Sequence, residues 1–252
     1  MDIVRPPAPL SVAAQTVQVW QIDLAQAPAV VQALGQHLSA DEQQRAGRFY
    51  FPADRRRFTV ARGALRMILG RYLSQPPAEV RLAYGPHGKP QLAEPSARAA
   101  LGFNLSHAQD RALCAVTAGG AVGVDLEQLR PLAPAEAFTT RVLSRREQTV
   151  FDALPEAQRP AAFFNAWTRK EAYLKAVGVG LVDALDHIEV TLTPGQPARL
   201  VRVAGKPGEA ERWSLRALAA EPAYAAAVVI AGPLRELGCW RWDPRLLITG
   251  EA

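Results

Sequence analysis

The sequence predicts an α+β fold of two similar halves, related by pseudo-two-fold symmetry, with a ligand cleft between them. Three observations predict it. Short stretches alternate apolar and polar residues with period two while others repeat at helical spacing, so strands and helices are both expected. Two S-x-x-E capping boxes, Ser39 to Glu42 and Ser144 to Glu147, each stand ahead of a long helical stretch. After each long helix the same order recurs: a strand, a proline-containing turn, a returning strand and further strands. The matched landmarks are Ser39 with Ser144, Pro90 with Pro197, Leu92 with Leu200 and Gly119 with Gly232. Their offset grows slowly along the chain, as in two copies of one unit that have drifted. The expected halves are residues 1–121 and 122–252. A loose self-alignment, which any α+β chain permits, is the alternative.

The elements follow in order. Residues 17–24 alternate and read as a first strand. Ala29 to Leu38 is helix-like, and the Ser39 box opens another helix. Arg55-Arg56-Arg57 leads into a helix from Phe58 to Leu73, with Ala61, Leu65, Ile68 and Leu69 as its apolar stripe. Gln75-Pro76-Pro77 ends it. A strand is expected from Glu79 to Tyr84, a turn at Gly85-Pro86-His87-Gly88 and a return at Lys89 to Leu92. Phe103 to His107 opens a strand. Ala112 to Thr117 and Ala121 to Glu127 read as a hairpin across Gly119-Gly120. In the second half, a break at Pro155 and Pro160 precedes a helix from Ala161 to Val177. Strands are expected at His187 to Leu192, Ala198 to Val203, Trp213 to Ala217 and Tyr224 to Ile230.

Bulk composition bounds the function. A chain of 252 residues, 49% apolar and 21% charged, can bury a sizeable core and is not extensively disordered. Its formal charge of +5 suits an acidic or phosphorylated partner. No RRM-type aromatic motif, zinc pattern or basic heptad helix supports a nucleic-acid binder. Cys114 and Cys239 form no C-x-x-C pair and read as buried small hydrophobes rather than a disulfide or zinc site. There is no secretory-type N-terminus and no long apolar run, so the expected address is the cytoplasm, away from any membrane.

Two stretches carry chemistry. In Gly123-Val124-Asp125-Leu126-Glu127, strand alternation puts Asp125 and Glu127 on one face and Val124 and Leu126 on the other. Paired carboxylates repel each other unless a cation lies between them. In the helix from Trp167 to Lys175, a spacing of four aligns Trp167, Glu171 and Lys175. Together these suit a divalent ion gripping a phosphate. Read separately, they are a solvated strand face and an exposed Glu171–Lys175 ion pair. Lys170 reads as solvated or near the rim, Trp167 as core packing, and Gly178 as a helix C-cap.

Four segments in order, Gly88-Lys89-Pro90, Phe103-Asn104-Leu105-Ser106-His107, Gly123 to Glu127 and Trp167 to Lys175, resemble the 4'-phosphopantetheinyl transferases. The likeness is to the longer, Sfp-like group with two α+β halves in one polypeptide, and its motifs run from about Ser39 to Leu181. The resemblance implies transfer of the 4'-phosphopantetheine arm of coenzyme A to a serine hydroxyl of an apo acyl or peptidyl carrier protein, with release of 3',5'-ADP. It implies Mg2+, or Mn2+, held by Asp125, Glu127 and Glu171, with Glu171 or a water as base. By the same likeness Asp125, Glu171 and Lys175 are catalytic. Arg45, Arg57, Arg62, Lys89, Ser106, His107 and Lys175 contact coenzyme A, and the arginines face its 3'-phosphate. Glu42 departs from the pattern, since some relatives carry lysine there. An acidic carrier partner and a monomer are expected. The competing reading is a non-catalytic module that binds coenzyme A or a nucleotide and docks partners.

Overall fold

A computed structural model of the chain describes residues 10–93, 101–132, 136–180, 185–219 and 221–244. Strand β1 (Thr16–Asp23) alternates faces: Trp20 and Ile22 pack with α-helical residues, Val17 and Val19 with the second half. Helices α1 (Pro28–Gly35) and α2 (Ala40–Gly47) follow, α2 opened by the expected Ser39–Glu42 box. Helix α3 (Pro52–Leu73) starts at Pro52, ahead of the expected Phe58, because a first-turn proline lacks only an N–H that has no helical partner.

A single 3-10 turn covers Pro77–Glu79, so the strand expected from Glu79 shrinks to β2 (Leu82–Tyr84), which pairs with β3 (Pro90–Leu92). Strands β4 (Leu101–Ala108), β5 (Arg111–Ala118) and β6 (Val122–Gln128) come next, then α4 (Glu136–Val142) and α5 (Arg145–Asp152). Helix α6 (Arg159–Val177) begins before the expected Ala161, with Pro160 in its first turn. Strands β7 (Ile188–Val190), β8 (Leu200–Val203), β9 (Trp213–Ala217), β10 (Tyr224–Ala231) and β11 (Glu236–Arg241) complete the described chain. Helix α4 and strand β11 are not among the expected elements. Leu181 and the first nine residues, used above, lie outside the described residues.

The two main sheets run β11-β1-β5-β4 and β6-β10-β9. Strand β5 pairs antiparallel with β1 and with β4, and β10 pairs antiparallel with β6 and with β9. The hairpin expected across Gly119-Gly120 is corrected: β6 does not ladder with β5. Both edges of β5 are taken by β1 and β4, so β6 begins the second sheet instead. Side chains of β4 join the sheets nearby: the Asn104 Oδ1 accepts the Val124 N–H of β6 at 2.9 Å, and Ser106 Oγ donates to Asp125 Oδ1 of β6 at 2.9 Å. The last strand, β11, returns to pair in parallel with β1, so the end of the chain completes the first half's sheet.

Three apolar clusters form the core. One lies under α3, one under α6, and a third joins the two sheets through Val17, Val19, Val124, Leu126, Val228 and Ile230. The layers are therefore helix, sheet, sheet, helix. Each long helix is also tied to its capping-box glutamate. Glu42 accepts Arg66 Nε at 2.6 Å, and Glu147 accepts Lys170 Nζ at 2.5 Å. Lys170 is fully buried, which corrects the expectation of a rim lysine; carbonyls of Val142 and Leu185 take its other protons. Removing either member of such a buried pair costs about 3–5 kcal/mol, because the other charge is left uncompensated.

Candidate active site

Gly123 sets the geometry. A Cβ there would lie 2.0 Å from the Ala172 carbonyl oxygen and 2.4 Å from the Ala176 nitrogen, so only glycine lets α6 lie against β6. The close approach brings the Trp167, Glu171 and Lys175 face of α6 onto the Asp125 and Glu127 face of β6. Val124 and Leu126 point the other way, into the core between the sheets, as the alternation predicts.

Asp125 is 3% exposed. Its Oδ1 accepts Lys175 Nζ at 2.6 Å and Ser106 Oγ at 2.9 Å, and Lys175 also donates to Ser106 Oγ at 2.9 Å. The lysine thus serves Asp125 rather than standing as a surface pair with Glu171. Asp125 Oδ2 and Glu171 Oε1 are buried and find no hydrogen-bond partner among the described residues. Burial raises the Asp125 carboxyl above the usual range, with Lys175 opposing. Burial, then the Asp125 charge, pushes Glu171 up to about 7. Glu127 is raised by burial and by Asp125, and Trp167 gives it a hydrogen bond, a polar role beyond packing on Phe163. Among the described residues no three such side chains form a ready-made metal cage. What α6 and β6 assemble is a partly desolvated cluster of three carboxylates facing one lysine, with two oxygens left without a hydrogen-bond partner, and a hard cation fits that need.

A cleft of about 270 Å³ opens beside this cluster. Its walls come from both halves: His87 to Pro90, Asn104 and Leu105 on one side, Glu171, Lys175 and Gly178 to Gly180 on the other. Gly178, at φ +84°, ends α6 in the left-handed region as expected. Lys89 reaches into the seam and donates to the carbonyls of Val122 (3.0 Å) and Lys175 (2.5 Å). Burial, then the Lys175 charge, lowers it to about 8.

The arginines converge around His107. Burial lowers the His107 pKa, and Lys175, Arg57, Arg62 and Arg45 each lower it further. Each of these cations lies within electrostatic reach of His107. Their states differ. Three guanidinium nitrogens of Arg57 already bond Asp110, Asp54 and Gln109. Arg45 lies over the Phe58 ring, and Arg62 lies between Phe58 and Tyr84.

A family model described as the 4'-phosphopantetheinyl transferase superfamily matches residues 121–229, and one described as 4'-phosphopantetheinyl transferase, N-terminal, matches residues 23–119. Over 239 residues the chain is 43% identical to the 4'-phosphopantetheinyl transferase HetI of Nostoc sp., covering 95% of this chain and 94% of that one. The chain belongs to the 4'-phosphopantetheinyl transferase superfamily. It is also 28% identical over 219 residues to the transferase psf-1 of Bacillus pumilus, covering 86% of this chain and 89% of that one. Among solved structures, a holo-(acyl-carrier-protein) synthase from Bacillus anthracis in complex with CoA (3',5'-ADP) matches 45% of this chain and 96% of its own, at 23% identity and a TM-score of 0.37.

For a transferase of this superfamily, the expected residues fall into two groups in space. Asp125, Glu127, Glu171, Lys175 and Ser106 form the carboxylate side; Arg45, Arg57, Arg62 and His107 form the cationic side, with Lys89 in the seam. Asn104 carries no role in the sequence motifs, and Phe58 and Tyr84 are not among the expected site residues; the fold brings all three to it. The burial of Asn104 and Ser106 on one face of β4 follows from period two and could have flagged Asn104. Nothing local marks Tyr84, which meets Arg62 only through folding.

Proposed function

We propose that the cleft between the halves binds coenzyme A and presents its pantetheine-side phosphorus to a serine hydroxyl of an apo acyl or peptidyl carrier. The serine oxygen attacks that phosphorus, the bridging P–O bond to the second phosphate breaks, and 3',5'-ADP leaves with the bonding pair. The observation that carries the reading is the pair of buried, unpartnered carboxylate oxygens on Asp125 and Glu171 beside Lys175 at the cleft. Asp125, Glu127 and Glu171 would hold Mg2+ or Mn2+. Such an ion would supply charge neutralisation at the pyrophosphate, where negative charge builds on the leaving group.

The chain's own groups do the rest. Glu171, directly or through a water, receives the serine proton. Lys175, anchored by Asp125 and Ser106, offers a compact positive charge at the phosphates. Lys89, His107, Arg45 and Arg62 supply further donors, and Arg57 shapes the region through its pairs with Asp54 and Asp110. We place the enzyme in the cytoplasm as a monomer serving an acidic carrier. Both halves lie in one chain, both cysteines are free and buried, no described helix is long and apolar enough to cross a membrane, and the net charge of +5 would steer an acidic partner.

The test mixes the protein with coenzyme A, Mg2+ and a panel of apo carriers, and weighs the carriers intact. Each served carrier gains one phosphopantetheine, and chelation abolishes the gain. No gain on any carrier that a control transferase modifies would reject the reading in favour of a binding module.

A further inference from the structure

The two capping-box glutamates are used differently. Glu147 spends both oxygens on structure: Oε2 accepts Lys170 and the Ser144 N–H, and Oε1 accepts the Val190 N–H at 2.8 Å. Glu42 spends only one. Its Oε2 accepts Arg66 and the Ser39 N–H, but Oε1 is buried with no hydrogen-bond partner among the described residues. The cation facing that oxygen is Arg62, whose Nε stands 3.9 Å away, too far for a hydrogen bond.

Arg62 is itself out of place for a structural residue. It lies one turn before Arg66 on α3 and is 7% exposed; one turn before Lys170 on α6 the residue is Ala166, fully buried. Burying a guanidinium is costly unless its donors are used, yet Arg62 Nη1 is buried and finds no partner among the described residues. The group is held instead by charge and by rings, with Phe58 at 5.8 Å and Tyr84 at 5.5 Å from its Cζ. An orphan donor and an orphan acceptor thus belong to neighbouring side chains without satisfying each other, with Arg45 over the same Phe58 ring.

We propose that Glu42 and Tyr84 are positioning residues that hold Arg62 ready to grip the 3'-phosphate of coenzyme A, and so set this enzyme's preference for the 3'-phosphorylated nucleotide. Glu42 keeps Arg62 oriented from inside α2. Tyr84 does so from β2, the strand that enters the turn before Lys89, and this couples the placement of the hairpin to that of the arginine. The proposal rests on coenzyme A as the ligand of the cleft.

Calorimetry on the full chain with 3',5'-ADP and 5'-AMP tests it. The wild type binds 3',5'-ADP more tightly. Glu42→Gln and Tyr84→Leu each reduce that preference by about tenfold, leaving 5'-AMP binding in place, while Tyr84→Phe, which keeps the ring over Arg62, retains it. A preference that survives both variants, or an equal loss for both nucleotides, overturns the proposal. Tyr84 is 40% exposed on a short strand, so Tyr84→Leu decides the matter if Glu42→Gln does not fold. The carrier assay separates the two failures. Carriers that gain mass while the nucleotide preference survives both variants reject the positioning role alone. Carriers that gain no mass reject the transferase reading, and the nucleotide preference is still measured.

Discussion

Asp125 joins the two halves in one side chain: Ser106 from β4 and Lys175 from α6 both donate to its Oδ1, while Oδ2 waits in the interior. Asp125→Asn keeps the shape and removes the charge. It should lower kcat by at least about two orders of magnitude, the scale of a lost metal or phosphate-polarising contact, with an unchanged far-UV spectrum; normal turnover would reject the assignment. Lys89 gives a pH signature. Its ammonium is lowered to about 8, so it is charged below that pH and loses its proton as pH rises through it. The attraction for phosphate fades in the same direction. Accordingly kcat/KM for coenzyme A should fall on the alkaline side of about pH 8, and Lys89→Arg, which stays charged, should move that fall to higher pH. The carboxylate pair was legible from residue types alone, because strand alternation is a local rule. The burial of Lys170 was not, because its partner Glu147 is brought to it by tertiary packing.

The contact between β6 and α6 is the element on which the site depends. Gly123→Ala would place a methyl 2.0 Å from the Ala172 carbonyl oxygen, and a backbone atom cannot yield as a side chain can. The helix must move outward and carry Glu171 and Lys175 with it. Overpacking of this kind costs about 1–3 kcal/mol, so the expected result is a lower denaturation midpoint together with a loss of transferase activity disproportionate to the fraction unfolded. Activity that merely tracks the folded fraction would show that the helix position is not what matters. The two long helices, the capping boxes and the Gly178 cap were readable in the sequence, since such signals act within one turn, whereas α4 was not. The supposed β5–β6 hairpin was not. A Gly-Gly turn looks the same whether the chain folds back on its neighbour or crosses to a new sheet.

Across the whole molecule, the two halves are bound by more than the linker between β5 and β6. A shared apolar core lies between the sheets, and β11 pairs with β1 from the far end of the chain. Trp240 on β11 packs against Trp20 with ring centroids 5.4 Å apart. Ending the chain before Glu236 should expose the edge of β1 and the rings beneath it, giving a protein that aggregates or melts in the first half at lower temperature. A truncated chain with unchanged melting would show that β11 is dispensable.

The sequence by itself determined the α+β class, the capping boxes, the alternation that puts Asp125 and Glu127 on one face and the family motifs, because each is written in nearest neighbours or in a fixed period. Only the tertiary structure decided which strands ladder, which lysine is buried, and that Glu42 faces Arg62 between two aromatic rings. Those facts depend on residues far apart in the chain meeting in a desolvated interior, where a charge or an orphan oxygen acquires its meaning from what lies opposite it.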